Sequence, residues 1–344
     1  VDDGQNHDGA SNRFKIGGEE MRVFLAGATG AIGKRLVPLL VQAGHSVTGM
    51  TRSTEKAAGL RNDGADAAIL DALDGAAVAA AVDQARPEVI IHELTALPAA
   101  LDIRKFPEQF RLTNRLRMEG TDHLLAAARA TRVRRFVAQS FAGWPYARTG
   151  GIVKTEDDPL DGNPPATLRD TLEAIKYLES AVLRVQEIEG IVLRYGGFYG
   201  PGNAIGENGT VVEQVRHRRV PIIGGGTGVW SFLHIDDAAQ ATLAAVERAA
   251  SGIYNIVDDE PATVSEWLPA LAQILGAKPP FRLPAWLGRL AIGEHGVILM
   301  TDIRGASNAK AKRELGWQPR WPSWRDGFRV GLSEAGSAAR APDR

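Results

Sequence analysis

Apolar residues occur along this chain in two alternating patterns. Residues 21–26 are a short, nearly unbroken apolar run that stops at glycine, as a strand buried on both faces does. Residues 31–43 carry apolar positions at helical spacing and stop at Gly44. The alternation continues with strands over 45–51 and 65–70, a helix over 76–84, and a strand over 88–92 introduced by Pro87. A long helix over 109–130 and a strand over 135–140 follow. Short strands separated by helices require right-handed crossovers, which build a parallel sheet covered on both faces. The pattern predicts an α/β fold with a doubly wound parallel sheet.

Residues 142–165 are rich in Gly, Pro and Asp and too long for an ordinary connector, which marks a functional or mobile loop. A helix over 168–188 and a strand over 191–195 come next. Beyond Gly196 the elements shorten, and Trp267, Trp286, Trp317, Trp321 and Trp324 concentrate there. This predicts a smaller C-terminal domain packed over the end of the sheet. Residues 1–20, polar and without the apolar segment of a signal peptide, read as a disordered extension. The expected domains are then 21–195, to which some later segments return, and 196–330, which mainly binds substrate; 331–344 is a tail.

With 344 residues, a prior of about two domains follows. Forty basic residues against 41 acidic ones lack the excess of a nucleic-acid binder. The absence of cysteine excludes disulfides, iron–sulfur clusters and thiol nucleophiles, and fits a cytoplasmic protein. Without an apolar run of 18 residues, no membrane span is expected. The seven histidines are scattered, with no His-Glu-x-x-His, so no metal site is expected. The remaining partner is a small-molecule substrate.

Candidate chemistry begins at Gly27-Ala-Thr29-Gly30-Ala31-Ile32-Gly33, between the first strand and the first helix. Glycines there permit a tight turn, close approach to a pyrophosphate and close packing of helix on strand. The helix start contributes free N–H groups. NAD-binding proteins place an acidic residue at the end of the second strand, to hold the ribose 2′-hydroxyl. Here Thr51-Arg52-Ser53 stands instead, and the Arg52 guanidinium suits a 2′-phosphate. Lys34 and Arg35 lie nearby in sequence. NADP is therefore expected, with NAD as the alternative. Asp71, ending the third strand, can accept from an adenine amino group or serve as a turn residue.

Further motifs are Val89-Ile-Ile-His92 before Leu94-Thr95-Ala96, Gly120-Thr121, 135–140, the 193–201 segment ending Phe198-Tyr-Gly-Pro201, His234-Ile-Asp-Asp237, Tyr254-Asn-Ile256 and Leu315-Gly-Trp-Gln-Pro319. In this order the chain, from 21 to 328, resembles the extended short-chain dehydrogenase/reductases, in their NAD-dependent epimerase/dehydratase branch. The resemblance implies a Rossmann-type cofactor domain beneath a smaller C-terminal substrate domain. It also implies that Leu94, Thr95 and Ala96 line the cofactor, that 198–201 lies by the nicotinamide, and that 234–237 joins the domains. A homodimer through the helices at 109–130 and 168–188 is implied too. The implied activity is oxidoreductase or epimerase/dehydratase chemistry on a small carbonyl or hydroxyl compound.

One departure stands out. The family uses a Tyr-x-x-x-Lys pair, with tyrosine as acid/base and lysine one helical turn away. No tyrosine of this chain has lysine four residues on. The aligned slots hold Thr171 and Ile175, or Leu172 and Lys176 in the neighbouring register, and Arg117 replaces the asparagine expected three residues before Gly120. Three readings follow. In the first, substitute residues are drawn from Ser140 (with Phe141 as its rival in the alignment), Tyr146 and Lys176. Read structurally, these are a strand-end hydroxyl, a loop anchor and a solvated helix residue. Alternatively Glu156, Asp157 or Asp158 handles the substrate, or the chain is an inactive NADP-binding sensor.

Overall fold

The computed structural model describes residues 19–98 and 100–340; nearly all of the expected 1–20 extension and the last four residues of the tail lie outside them. The chain alternates β1 (Arg22–Ala26), α1 (Gly33–Gln42), β2 (Ser46–Thr51), α2 (Thr54–Asn62), β3 (Asp66–Ile69), α3 (Gly75–Ala85) and β4 (Val89–His92). It continues through α4 (Phe106–Arg115), α5 (Thr121–Ala130), β5 (Arg135–Phe141) and α6 (Ala166–Arg184). Strands Glu189–Tyr195 and Gly252–Ile256 complete a seven-stranded sheet. Every neighbouring pair is parallel, in the order β3-β2-β1-β4-β5, then Glu189–Tyr195, then Gly252–Ile256.

Strand alternation sends successive side chains to opposite faces. Val23 and Leu25 join one buried cluster, under α1 and the helix Ile235–Arg248. Phe24 and Ala26 join the other, with residues of α3, α5 and α6. Both faces are therefore dry, which is why the strand runs are nearly continuous in apolar residues.

Three elements depart from the sequence pattern. Helix α2 carried no periodic signal because it buries only Ala57 and Leu60; the Ser53 side chain caps it by accepting from Lys56 N. The long helix expected over 109–130 begins at Phe106 and is interrupted by a π-helical turn, Leu116–Gly120. The helix expected to run to 188 stops at Arg184, because Val185 is extended.

The C-terminal part has its own core, with Trp267, Trp321 and Trp324 packed on Phe232, Phe328 and Tyr199. Trp317 instead packs in the cluster on the α1 side of the sheet, and Trp286 is exposed. The Asp237 carboxylate accepts from the backbone N–H groups of Arg320 and Trp321 at 2.8 and 2.9 Å. His234 caps the helix Ile235–Arg248 and pairs through Nε2 with the Gly331 carbonyl. The 234–237 motif thus ties the sheet-packing helix to the 320–331 segment. No helix among the described residues is long and apolar enough to cross a membrane.

A candidate active site at the sheet switch point

β1 has β2 on one side and β4 on the other, so the connections at their carboxyl ends leave in opposite directions and open a crevice between them. The glycine loop leaves β1 at this crevice. Gly27 has φ +98°, and a Cβ there would meet the Glu93 carbonyl oxygen at 2.6 Å. At Gly33 a Cβ would meet the Gly27 oxygen at 2.4 Å. No side chain caps the start of α1, so its first N–H groups face the loop without a side-chain partner. Such a loop has the geometry that a pyrophosphate requires.

A cavity of about 760 Å³ opens here, walled by Gly27, Thr29, Gly30, Ala31, Ile32 and Gly33. Arg52, Asp71, Leu94 and Thr95 also line it, whereas Ala96 does not; its N–H donates to Thr113 Oγ1. Arg52 makes no ion pair among the described residues, and Lys56, unnoticed in the sequence, stands beside it in the wall. Asp71 also accepts from the Leu73 N–H, so it serves the turn while facing the cavity. Arg35 is occupied elsewhere, paired with Glu334 and Asp236, and neither it nor Lys34 lines the cavity.

Glu93 follows β4 at the crevice. Its carboxyl accepts from Tyr195 OH at 2.9 Å, and burial pushes its pKa up to about 8. It is therefore mostly neutral at pH 7 and adds little repulsion toward a phosphate at the neighbouring loop. His92 is fully buried against Thr121, and burial lowers its pKa to about 4.

The other half of the cavity is mostly apolar and aromatic. Phe106, Phe198, Trp230, Trp267, Leu299 and Met300 contribute to it, with His295 set among them. Gln139 is the residue of β5 that reaches this wall.

The structure keeps Ser140, Tyr146 and Lys176 away from the cavity wall. Alternation along β5 turns Ser140 toward α6, the side to which Phe136 and Ala138 point. Its hydroxyl donates to Glu179 Oε1 at 2.6 Å. Glu179 also holds Arg194 through two contacts of 2.8 and 2.6 Å. Arg194 in turn donates to Tyr146 OH, which donates to Asn255 Oδ1 at 2.6 Å. Burial raises the Tyr146 pKa, the opposite of what an acid/base near neutrality needs. Lys176 bonds Glu173 and the Asp161 carbonyl. Of the acidic run, Glu156 accepts from Asn255 N, Asp158 closes a turn with Thr155, and Asp157 is exposed. In the first of the two registers for the catalytic slots, Thr171 Oγ1 accepts from Asn114, while Ile175 is buried; in the second, Leu172 is buried as well.

A doubly wound parallel sheet with a glycine cradle at its switch point, and a cavity running on into a separate C-terminal core, defines a Rossmann-type enzyme of the dehydrogenase/epimerase class. The NAD dependent epimerase/dehydratase family pattern matches residues 23–257. A 3-diazoavenalumate denitrifying reductase of a Streptomyces species is 45% identical over 313 residues, which is 90% of this chain and 99% of that protein. The UDP-glucose 4-epimerase of Mycolicibacterium smegmatis is 26% identical, over 87% of this chain and 94% of that one. Among solved structures, a UDP-glucose 4-epimerase of Thermotoga maritima with UDP-glucose superposes with TM-score 0.69 at 24% identity, covering 90% of this chain and 97% of its own. The chain belongs to the NAD-dependent epimerase/dehydratase family and is an enzyme of the extended short-chain dehydrogenase/reductase type.

Proposed function

We propose that this protein is an NADP(H)-dependent reductase that takes a flat, largely apolar aromatic substrate and replaces a diazo group on it by hydrogen. The observation that carries this reading is the composition of the substrate half of the cavity. Among the described residues lining the whole cavity, Arg52 and Lys56 are the only Lys or Arg, and both belong to the nucleotide half. A sugar nucleotide seated against Trp230 and Trp267 would leave its diphosphate without a cation, whereas a planar arene gains by burial and stacking there. The 45% identical relative, named for reductive denitrification of a diazo acid, supports this substrate class.

The glycine cradle, Arg52 and Lys56 fit a dinucleotide with a 2′-phosphate, so these residues would hold NADP(H). When bound, that cofactor supplies a hydride whose electron pair becomes the new C–H bond, while the C–N pair departs with dinitrogen. No oxyanion develops at the carbon under attack, so the reaction needs no tyrosine acid on the cavity wall. This accounts for a catalytic helix that keeps Thr171 and Ile175 in the slots of the usual pair. The chain's own task is to bind, align and keep dry: the aromatic wall orients the ring and excludes water. The relative's substrate is a carboxylate by name, and the Thr210 and Gln214 side chains at the cavity wall offer it polar contacts.

The homodimer implied by the family remains part of this proposal. Exposed Met118, Tyr177 and Leu183 on the π-helical turn and α6 support it.

The test is incubation with an aryl diazo acid and either NADPH or NADH. Dinitrogen release with stoichiometric cofactor oxidation, and deuterium from labelled NADPH on the carbon that lost nitrogen, is the expected result. Tight NADPH binding with no dinitrogen released would end the reductase reading and favour a sensor. For the cofactor, Arg52→Ala is expected to weaken NADPH at least about tenfold relative to NADH. An unchanged ratio would remove Arg52 from the 2′-phosphate site.

A further inference from the structure

Helix Ala285–Thr301 breaks at Gly293, whose φ of 74° and ψ of 175° are not helical. The segment after the break carries His295 and, one turn on, Leu299; both line the substrate half of the cavity. His295 is 3% exposed, and its ring stands edge-on to Phe106 with centroids 4.4 Å apart. Neither ring nitrogen has a hydrogen-bond partner among the described residues. No acidic side chain pairs with the ring there either.

A buried polar group without a partner costs about 1–3 kcal/mol, and a phenyl ring would fill this wall without that cost. His92 and His234 are as buried, yet both have hydrogen-bond partners. In the same wall the Trp230 indole N–H donates to the Leu299 carbonyl at 2.9 Å, whereas the Trp267 indole N–H, like the His295 ring, has no partner among the described residues. A polar ring left unpaired on the wall of a large cavity is explained by a ligand that pairs with it.

The chemistry of that ligand follows from the ring's charge. Burial lowers the His295 pKa to about 4, so near neutrality the imidazole is uncharged, with one nitrogen donating and the other accepting. No Lys or Arg lines this half of the cavity, so beside the carboxylate placed on Thr210 and Gln214 the uncharged ring suits a neutral polar group better than a second anion. A hydroxyl is neutral, and donates and accepts as the ring does. The Phe106 and Trp230 rings nearby favour an arene as its carrier.

We infer that His295 is a specificity-determining residue that hydrogen-bonds a hydroxyl group on the substrate's aromatic ring, making a phenol the preferred ligand of this cavity. The inference rests on the cavity taking a flat aromatic substrate and not on loss of dinitrogen. Both ring nitrogens are covered in this structure, so the contact requires the imidazole to turn about its Cβ–Cγ bond toward the cavity.

The experiment is titration of the NADPH-loaded protein with 4-hydroxycinnamate and with cinnamate, read by tryptophan fluorescence. Both probes carry the same carboxylate, so their ratio isolates the hydroxyl. The wild type is expected to bind the phenol about tenfold more tightly, a difference typical of one recognised polar group. His295→Phe is expected to bring that ratio close to one by weakening the phenol, with NADPH affinity unchanged. His295→Gln, which conserves a donor and an acceptor, is expected to retain a preference. A ratio that survives in His295→Phe, or a wild type that does not prefer the phenol, overturns the inference. If the preference follows His295 while an aryl diazo acid releases no dinitrogen, this inference stands and the proposed reaction falls.

Discussion

The Arg194 guanidinium and the Glu179 carboxylate are 2.6 Å apart, with side chains only 4% and 7% exposed. Two such charges are tolerable in a protein interior because each is held by further hydrogen bonds, here from Ser140 and to Tyr146. Removing one partner strands the other. Glu179→Gln is therefore expected to lower stability by about 3–5 kcal/mol, measured from denaturant midpoints. Tyr146→Phe removes the hydroxyl between Arg194 and Asn255 and is expected to cost about 1–3 kcal/mol while leaving turnover within about twofold. A variant of normal stability that had lost turnover would restore Tyr146 as the acid. The sequence showed that Ser140, Tyr146 and Arg194 were present. It gave no sign that they meet, because residues 109 positions apart, such as Tyr146 and Asn255, touch only through the fold.

Among the elements, the strand–glycine–helix unit was readable in advance because each of its requirements is local: an apolar strand, a turn, a helix start. Gly33→Ala tests it. The added methyl carbon would stand 2.4 Å from the Gly27 oxygen and 2.5 Å from the Ala28 carbonyl carbon, both backbone atoms that cannot swing aside. NADPH binding is expected to be lost, with a lowered melting temperature; a variant binding NADPH normally would show that the cradle adjusts. The strand Gly252–Ile256 was legible only as a motif. Its place beside Glu189–Tyr195 depends on the intervening helix Ile235–Arg248 returning to pack against α1. The π-helical turn at Leu116–Gly120 was also invisible, since one extra residue in a helix leaves the apolar pattern nearly intact.

Across the whole molecule, buried ionisable groups tie stability to pH from both sides. Burial raises Glu93 to about 8 and Asp237 to about 6, and raises Asp258 well above the usual carboxylate range. The folded protein keeps protons on these groups that the unfolded chain releases, so their contribution, full below the unfolded value near 4.5 for Glu93, is lost as pH rises to 8. Burial lowers His92 and His295 to about 4, and their contribution, full above 6.5, is lost as pH falls toward 4. Between pH 6.5 and 8 the denaturant midpoint is expected to decline, and Glu93→Gln to decline less. Equal slopes in both proteins would mean that Glu93 is already ionised at pH 6.5.

By itself the sequence determined the doubly wound sheet, the nucleotide loop and the absence of the usual acid–base pair, because periodicity, glycine placement and residue spacing act over a few neighbouring positions. Only the tertiary structure decided which side chains share the cavity. Strand alternation at β5 put Gln139 at its wall and sent Ser140 to Glu179. Packing of the C-terminal segment brought Trp230, Trp267 and His295 to the same cavity as a glycine loop far earlier in the chain. Such contacts depend on how whole elements stack, and no local pattern encodes that.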